Sequence, residues 1–83
     1  MKFVHSADWQ LGKAFGRFEP DARAALHEAR FDAIDTLGRI AVENGAQHVL
    51  VAGDVFDTDG PDDRTIVQAV SRMSRHSCRW WLL

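Results

Sequence analysis

The sequence predicts an α/β fold in which parallel strands alternate with helices. Short apolar runs recur at Lys2–His5, His48–Ala52 and Cys78–Leu83. Two longer stretches with apolar residues at helical spacing separate them. Connections of that length join parallel strands, because antiparallel neighbours need only a tight turn.

Lys2–His5 is a β-type run centred on Phe3 and Val4. Ser6–Phe18 reads as a loop, with bends at Gly12 and Gly16. Pro20 suits the first turn of a helix, and Asp21 and Glu28 place negative charge toward its amino end. Ala22, Leu26, Ala29, Ala33, Leu37, Ile40 and Ala41 fall at helical spacing and predict one inward stripe. Arg23, Arg30, Asp35 and Glu43 then form the solvated face. Asn44-Gly45 stops the helix, since glycine takes the left-handed conformation freely. His48–Ala52 is continuously apolar and valine-rich, which predicts a strand covered on both faces. Gly53–Asp63 holds three glycine or proline residues and five aspartates, so it reads as a loop. A second helix is predicted over Arg64–His76, with Ile66, Val67, Val70 and Met73 facing inward. Cys78–Leu83 completes the order strand, helix, strand, helix, strand. Its carboxyl end falls where open α/β sheets place their ligands, so the expectation is an incomplete domain.

The 83 residues fit one small domain that buries a modest fraction of its surface. Cys78 is the only cysteine, which excludes a disulfide within the chain and points to a reduced, packed thiol. A net charge of −2 excludes a protein that holds nucleic acid by charge alone. No segment resembles a signal peptide or a membrane span, so the expected location is the cytoplasm.

Two acidic residues occupy matching places. Asp8 follows the first strand and Asp54 the second, in Val51-Ala52-Gly53-Asp54. In a parallel sheet both lie at the same edge, and neighbouring strands are about 4.8 Å apart. Two carboxylates that close repel each other and call for a proton, water or a cation between them. A hard divalent cation with oxygen ligands answers that need. Gly53 allows a sharp turn and close approach of a ligand. In an extended loop, Asp8 and Gln10 would project to the same side and reach one metal. Each aspartate taken alone also fits a turn or helix cap.

His5-Ser6-Ala7-Asp8-Trp9-Gln10-Leu11-Gly12, followed by Val51-Ala52-Gly53-Asp54-Val55-Phe56-Asp57, resembles the SbcD-type DNA repair exonucleases of the calcineurin-like metallophosphoesterase superfamily. The resemblance implies the β-α-β-α-β start of that superfamily's layered sandwich, with residues 1–83 as the amino-terminal part of the nuclease domain. It implies two divalent metal ions, usually Mn2+, that polarise a phosphodiester and acidify the attacking water. It makes Asp8 a ligand of the first metal and Asp54 the bridge between the two. Gln10 stands where the family has a ligating histidine, and its carbonyl oxygen is a harder, weaker ligand than imidazole. The family's Gly-Asn-His-Asp motif, with its catalytic histidine, would follow Leu83. The chain is therefore expected to be inactive alone, with none of His5, His27, His48 and His76 filling that role. The resemblance further implies DNA as substrate, an SMC-like ATPase partner and a homodimer. Lys13 and Arg17 are candidate contacts to the DNA backbone. Trp9 is expected to pack beside the metal loop. Two alternatives stand: a phosphomonoester or cyclic-nucleotide phosphoesterase of the same superfamily, and a non-catalytic α/β fragment that associates through its terminal Trp80-Trp81 strand.

Overall fold

The computed structural model describes residues 1–14, 16–57 and 62–83. Phe15 and residues 58–61, which fall in the two expected loops, lie outside the described residues. Five elements follow in order: β1 (Phe3–Ala7), α1 (Pro20–Glu43), β2 (His48–Ala52), α2 (Asp63–Ser74) and β3 (Arg79–Leu82). The strands form one parallel sheet in the order β1-β2-β3. The predicted α/β alternation is what the chain adopts, with β1 running two residues further than expected.

Local chemistry sets the helix ends. α1 begins with Pro20 in its first turn and ends at Asn44, after which Gly45 takes φ +70°. α2 starts at Asp62, whose carboxylate accepts the Thr65 N–H at 2.8 Å. Among the described residues, no helix is long and apolar enough to cross a membrane.

The core has two connected clusters. Val49 and Val51 of β2 pack with Ala41, Ala46 and Cys78. Leu11, Phe31, Ile34 and Ala69 form the other cluster, and Trp9 and Trp80 touch both. The two indoles meet edge to face at 5.9 Å. Fully burying an aliphatic side chain such as Val49 or Ile34 contributes about 1.5–3 kcal/mol. Cys78 is a packing residue, and burial pushes its thiol pKa up.

Three packing expectations are overturned. On α1 the buried residues are Phe31, Ile34, Gly38 and Ala41; of the expected stripe Ala41 alone is buried, while Ala29, Ala33 and Ile40 are exposed. The expected stripe is mostly alanine, which gains little from burial. The helix instead turns its aromatic Phe31 inward with Ile34. On α2, Ala69 is buried and Met73 half-buried, but Ile66, Val67 and Val70 lie on the exposed side. Arg72 and His76 turn toward α1 because carboxylates wait there. β2 is covered on one face only: Val49 and Val51 are buried, while His48, Leu50 and Ala52 are half-buried. On that open side Met1, Phe3, His48, Leu50 and Trp81 line a groove of about 270 Å³. Within residues 1–83 the cover of this second face is partial.

Gly38 shows how tightly the helices meet. A Cβ there would stand 2.4 Å from the His76 ring. That ring is hydrogen-bonded to Asp35 at 2.8 Å and lies 6.4 Å from the Trp80 ring. Alanine at position 38 gains about 1 kcal/mol of helix propensity, but overpacking costs about 1–3 kcal/mol. Gly38→Ala therefore lowers stability by about 1 kcal/mol net, read as a lower denaturant midpoint at unchanged slope.

Candidate metal centre

The site grows out of the β1–β2 ladder. Ala7 pairs with Ala52, and beyond them the Asp8 N–H donates to the Ala52 carbonyl at 3.0 Å. The chain then departs from regular pairing for a few residues. The Asp54 N–H donates to Asp8 Oδ1 at 3.2 Å, and the Gln10 N–H donates to the Asp54 carbonyl at 3.0 Å. Pairing resumes where Leu11 bridges Phe56, with Leu11 N–H to Val55 O and Asp57 N–H to Leu11 O both at 2.9 Å. Asp8, Gln10 and Asp54 thus share one backbone-paired segment at the carboxyl edge of the sheet.

The reason Gln10 lies beside Asp54 differs from the sequence argument. Asp8 and Gln10 have φ of +54° and +48°, so the loop is not extended and alternation of side chains does not apply. Backbone pairing with Asp54 brings Gln10 in. Aspartate accepts the left-handed region more readily than most residues, while glutamine carries about 1–2 kcal/mol of strain there. The role of Gly53 is also revised. Its φ is +81°, and a Cβ would lie 2.0 Å from Asp8 Oδ1. The space left by the missing side chain is filled by the Asp8 carboxylate itself.

The charge pattern separates two groups of acids. Glu28, Asp32 and Asp35 of α1 all pair with Arg72 of α2. Among the described residues, neither Asp8 nor Asp54 has an ion-pair partner, and both are exposed. The Asp8 carboxylate, held by the Asp54 N–H, and the exposed Asp54 carboxylate are oxygen donors of the kind a hard cation such as Mg2+, Ca2+ or Mn2+ prefers. Among the described residues, no group of three or more His, Cys, Asp or Glu is placed to hold a metal ion. Asp8, Asp54 and Gln10 do not by themselves make up such a group.

His5, His48 and His76 lie elsewhere. His48 Nδ1 accepts the Trp81 Nε1–H at 3.1 Å, and His76 is held by Asp35. His5 is exposed on β1, paired in register with Leu50. Trp9 packs beside the loop as expected, half-buried, and donates its Nε1–H to Ser6 Oγ at 3.0 Å. Lys13 is half-buried, and its N–H donates to the Gln10 carbonyl at 3.2 Å. Arg17 is exposed, with its guanidinium 5.8 Å from the Phe18 ring centre; that contact does not bring it to the carboxylates.

Arg30, expected on the solvated face, and His27, given no role in the sequence, grip the loop. Arg30 Nη1 donates to the Trp9 carbonyl at 2.7 Å, and His27 Nε2 lies 2.7 Å from the Lys13 carbonyl. Their signal is present in the sequence. They precede Phe31 and Ile34 on the side of α1 that faces inward, which the alanine-rich stripe obscures.

No protein-family model matches the chain. Curated relatives do. The SbcD component of nuclease SbcCD from Bacillus subtilis (strain 168) is 36% identical over 61 residues, covering 74% of this chain and 14% of that protein. The protein of the same name from Escherichia coli (strain K12) is 38% identical over 61 residues, with the same coverage. DNA double-strand break repair protein Mre11 of Archaeoglobus fulgidus is 37% identical over 73 residues, covering 88% of this chain and 15% of that protein. The chain thus spans 14–15% of the length of these relatives. Identity at this level across most of its residues places the chain in the SbcD/Mre11 family of DNA repair nucleases, of which it represents one segment.

Proposed function

We propose that residues 1–83 form the amino-terminal part of a metallophosphoesterase domain that hydrolyses phosphodiester bonds of DNA during double-strand break repair. One observation carries this reading. Asp8 and Asp54 leave adjacent parallel strands at one edge, are joined by the 3.2 Å hydrogen bond, and have no ion-pair partner among the described residues. The names of the relatives, a nuclease component and a double-strand break repair protein, supply the substrate class.

In this reading Asp8 and Gln10 would hold a first divalent cation, and Asp54 would serve it together with a second. Manganese is the expected metal. The cations, when bound, supply Lewis acidity toward a phosphate oxygen and acidify a water. Asp54 contributes the charge that lets two cations sit close together, and Gln10 adds a neutral oxygen. Lys13 and Arg17 contact the phosphate backbone, which fixes register without reading sequence. In this reading the remaining donors and the general acid are residues other than Asp8, Gln10 and Asp54. An SMC-like ATPase and a second copy of the nuclease chain complete the assembly.

Calorimetric titration with Mn2+ tests the assignment. Binding is expected to the native chain and to be lost in Asp54→Asn, because the shared donor loses its charge. Gln10→His tightens the first site, since imidazole is the stronger ligand and histidine tolerates the left-handed region better. Unchanged stoichiometry and affinity in Asp54→Asn overturn the assignment.

A further inference from the structure

We infer that Arg30 and His27 of α1 are positioning residues that clamp the carboxylate loop in its left-handed conformation. The role in metal binding rests on the reading of Asp8, Gln10 and Asp54 given above; the clamp itself does not. Asp8 and Gln10 flank Trp9, and both have positive φ. A loop strained on either side of one residue stays so only where its surroundings hold it. The Trp9 carbonyl between them accepts the Arg30 guanidinium at 2.7 Å. Further along the loop, the Gln10 carbonyl accepts the Lys13 N–H, and the Lys13 carbonyl meets His27 Nε2 at 2.7 Å.

Arg30 and His27 are three residues apart on α1, so one helix face presents both groups to the loop. The helix is a rigid bar, anchored through Phe31 and Ile34 in the cluster that also buries Leu11. The clamp therefore fixes the loop relative to the core, while the ladder fixes it relative to Asp54. Arg30 also lines, with Asp8, Trp9, Ala33 and Ile34, a cleft of about 190 Å³ behind the carboxylate. A guanidinium there directs its donors at the Trp9 carbonyl with charge-assisted strength.

Three variants of the 83-residue chain test this: Arg30→Met, which keeps an apolar stem, Arg30→Lys, and His27→Gln, which retains a donor. Amide hydrogen exchange at Gln10 and Leu11 reads the loop, Mn2+ titration reads the site, and the melting temperature reads the fold. Arg30→Met is expected to speed exchange at these two amides by about tenfold or more, the loss of one charged hydrogen bond. Mn2+ affinity should fall by about the same factor, with core amides of β2 unchanged. Arg30→Lys recovers part of both losses, and His27→Gln shows a smaller loss than Arg30→Met. A rise in exchange spread evenly over loop and core, or none at Gln10 and Leu11, overturns the clamp. Failure of the native chain to bind Mn2+ would sink the metal reading, and the exchange data would still decide the clamp.

Discussion

Replacing Arg72 with methionine lowers the stability of the chain by about 1–3 kcal/mol at neutral pH. Arg72 crosses from α2 to α1 and pairs with Glu28, Asp32 and Asp35, the last two at 2.7 Å. Its side chain is 14% exposed and that of Asp35 20%, so water screens this pair only partly. Glu28 and Asp32 are more than half exposed, which keeps the effect below that of a sealed ion pair. Methionine preserves volume but leaves three acids facing one another. Removing one member of a network is costly where exchanging the whole network is not.

The pH profile distinguishes this mechanism from lost packing. Partial burial raises the Asp35 pKa, but hydrogen bonds from His76 and Arg72 and the positive charge of Arg72 and Arg75 outweigh it. The carboxyl therefore sits below its ordinary value of 3.8. A group with a depressed folded pKa contributes stability that is complete above the unfolded value and fades as pH falls through the folded one. The gap between native chain and Arg72→Met should be largest above pH 3.8 and narrow below it. Denaturant midpoints across that range measure it, and a pH-independent gap would assign the loss to packing alone.

Gly53→Ala is expected to cost about 1–2 kcal/mol of stability and, more severely, to abolish Mn2+ binding. The backbone contribution follows from φ +81°, where an L side chain is strained. The clash concerns a carboxylate that can swing away, so it adds little to instability. Swinging away, however, breaks the hydrogen bond from the Asp54 N–H and moves Asp8 Oδ1 out of its place. Gly45→Ala is the matched control. Its φ is +70° and its Cβ would meet nothing within 4 Å, so it measures backbone strain alone. Similar stability losses with Mn2+ binding kept only in Gly45→Ala would isolate the carboxylate's position as the cause.

How much of this can be read from the residues differs between elements. β2 is legible to the residue, because five consecutive residues bounded by Gln47 and Gly53 leave little freedom. The order of elements follows from the same contrast of periods. The inward face of α1 is not legible, since two apolar stripes compete and only the tertiary partner selects Phe31 and Ile34 over the alanines. α2 misleads for a related reason: its branched apolar residues predict burial, but Arg72 and His76 are drawn inward by acids about forty residues earlier. At the site, Asp8 and Asp54 are predictable as neighbours because strand order and register follow from the fold. The left-handed turns at Asp8 and Gln10 are not, because nothing in a Trp-Gln pair signals positive φ. The grips of Arg30 and His27 depend on the phase of α1 and are lost with it.

The ladder that resumes at Leu11 and Phe56 turns the gap between the two acidic segments into a fixed gauge. Hinged on one side only, Asp8 and Asp54 could spread or close around any ion. Stitched on both sides, at Ala7 with Ala52 and at Leu11 with Phe56, their backbones are held in one register. Under the proposed metal reading, that fixed register would leave the residue at position 10 to tune how tightly a cation is retained.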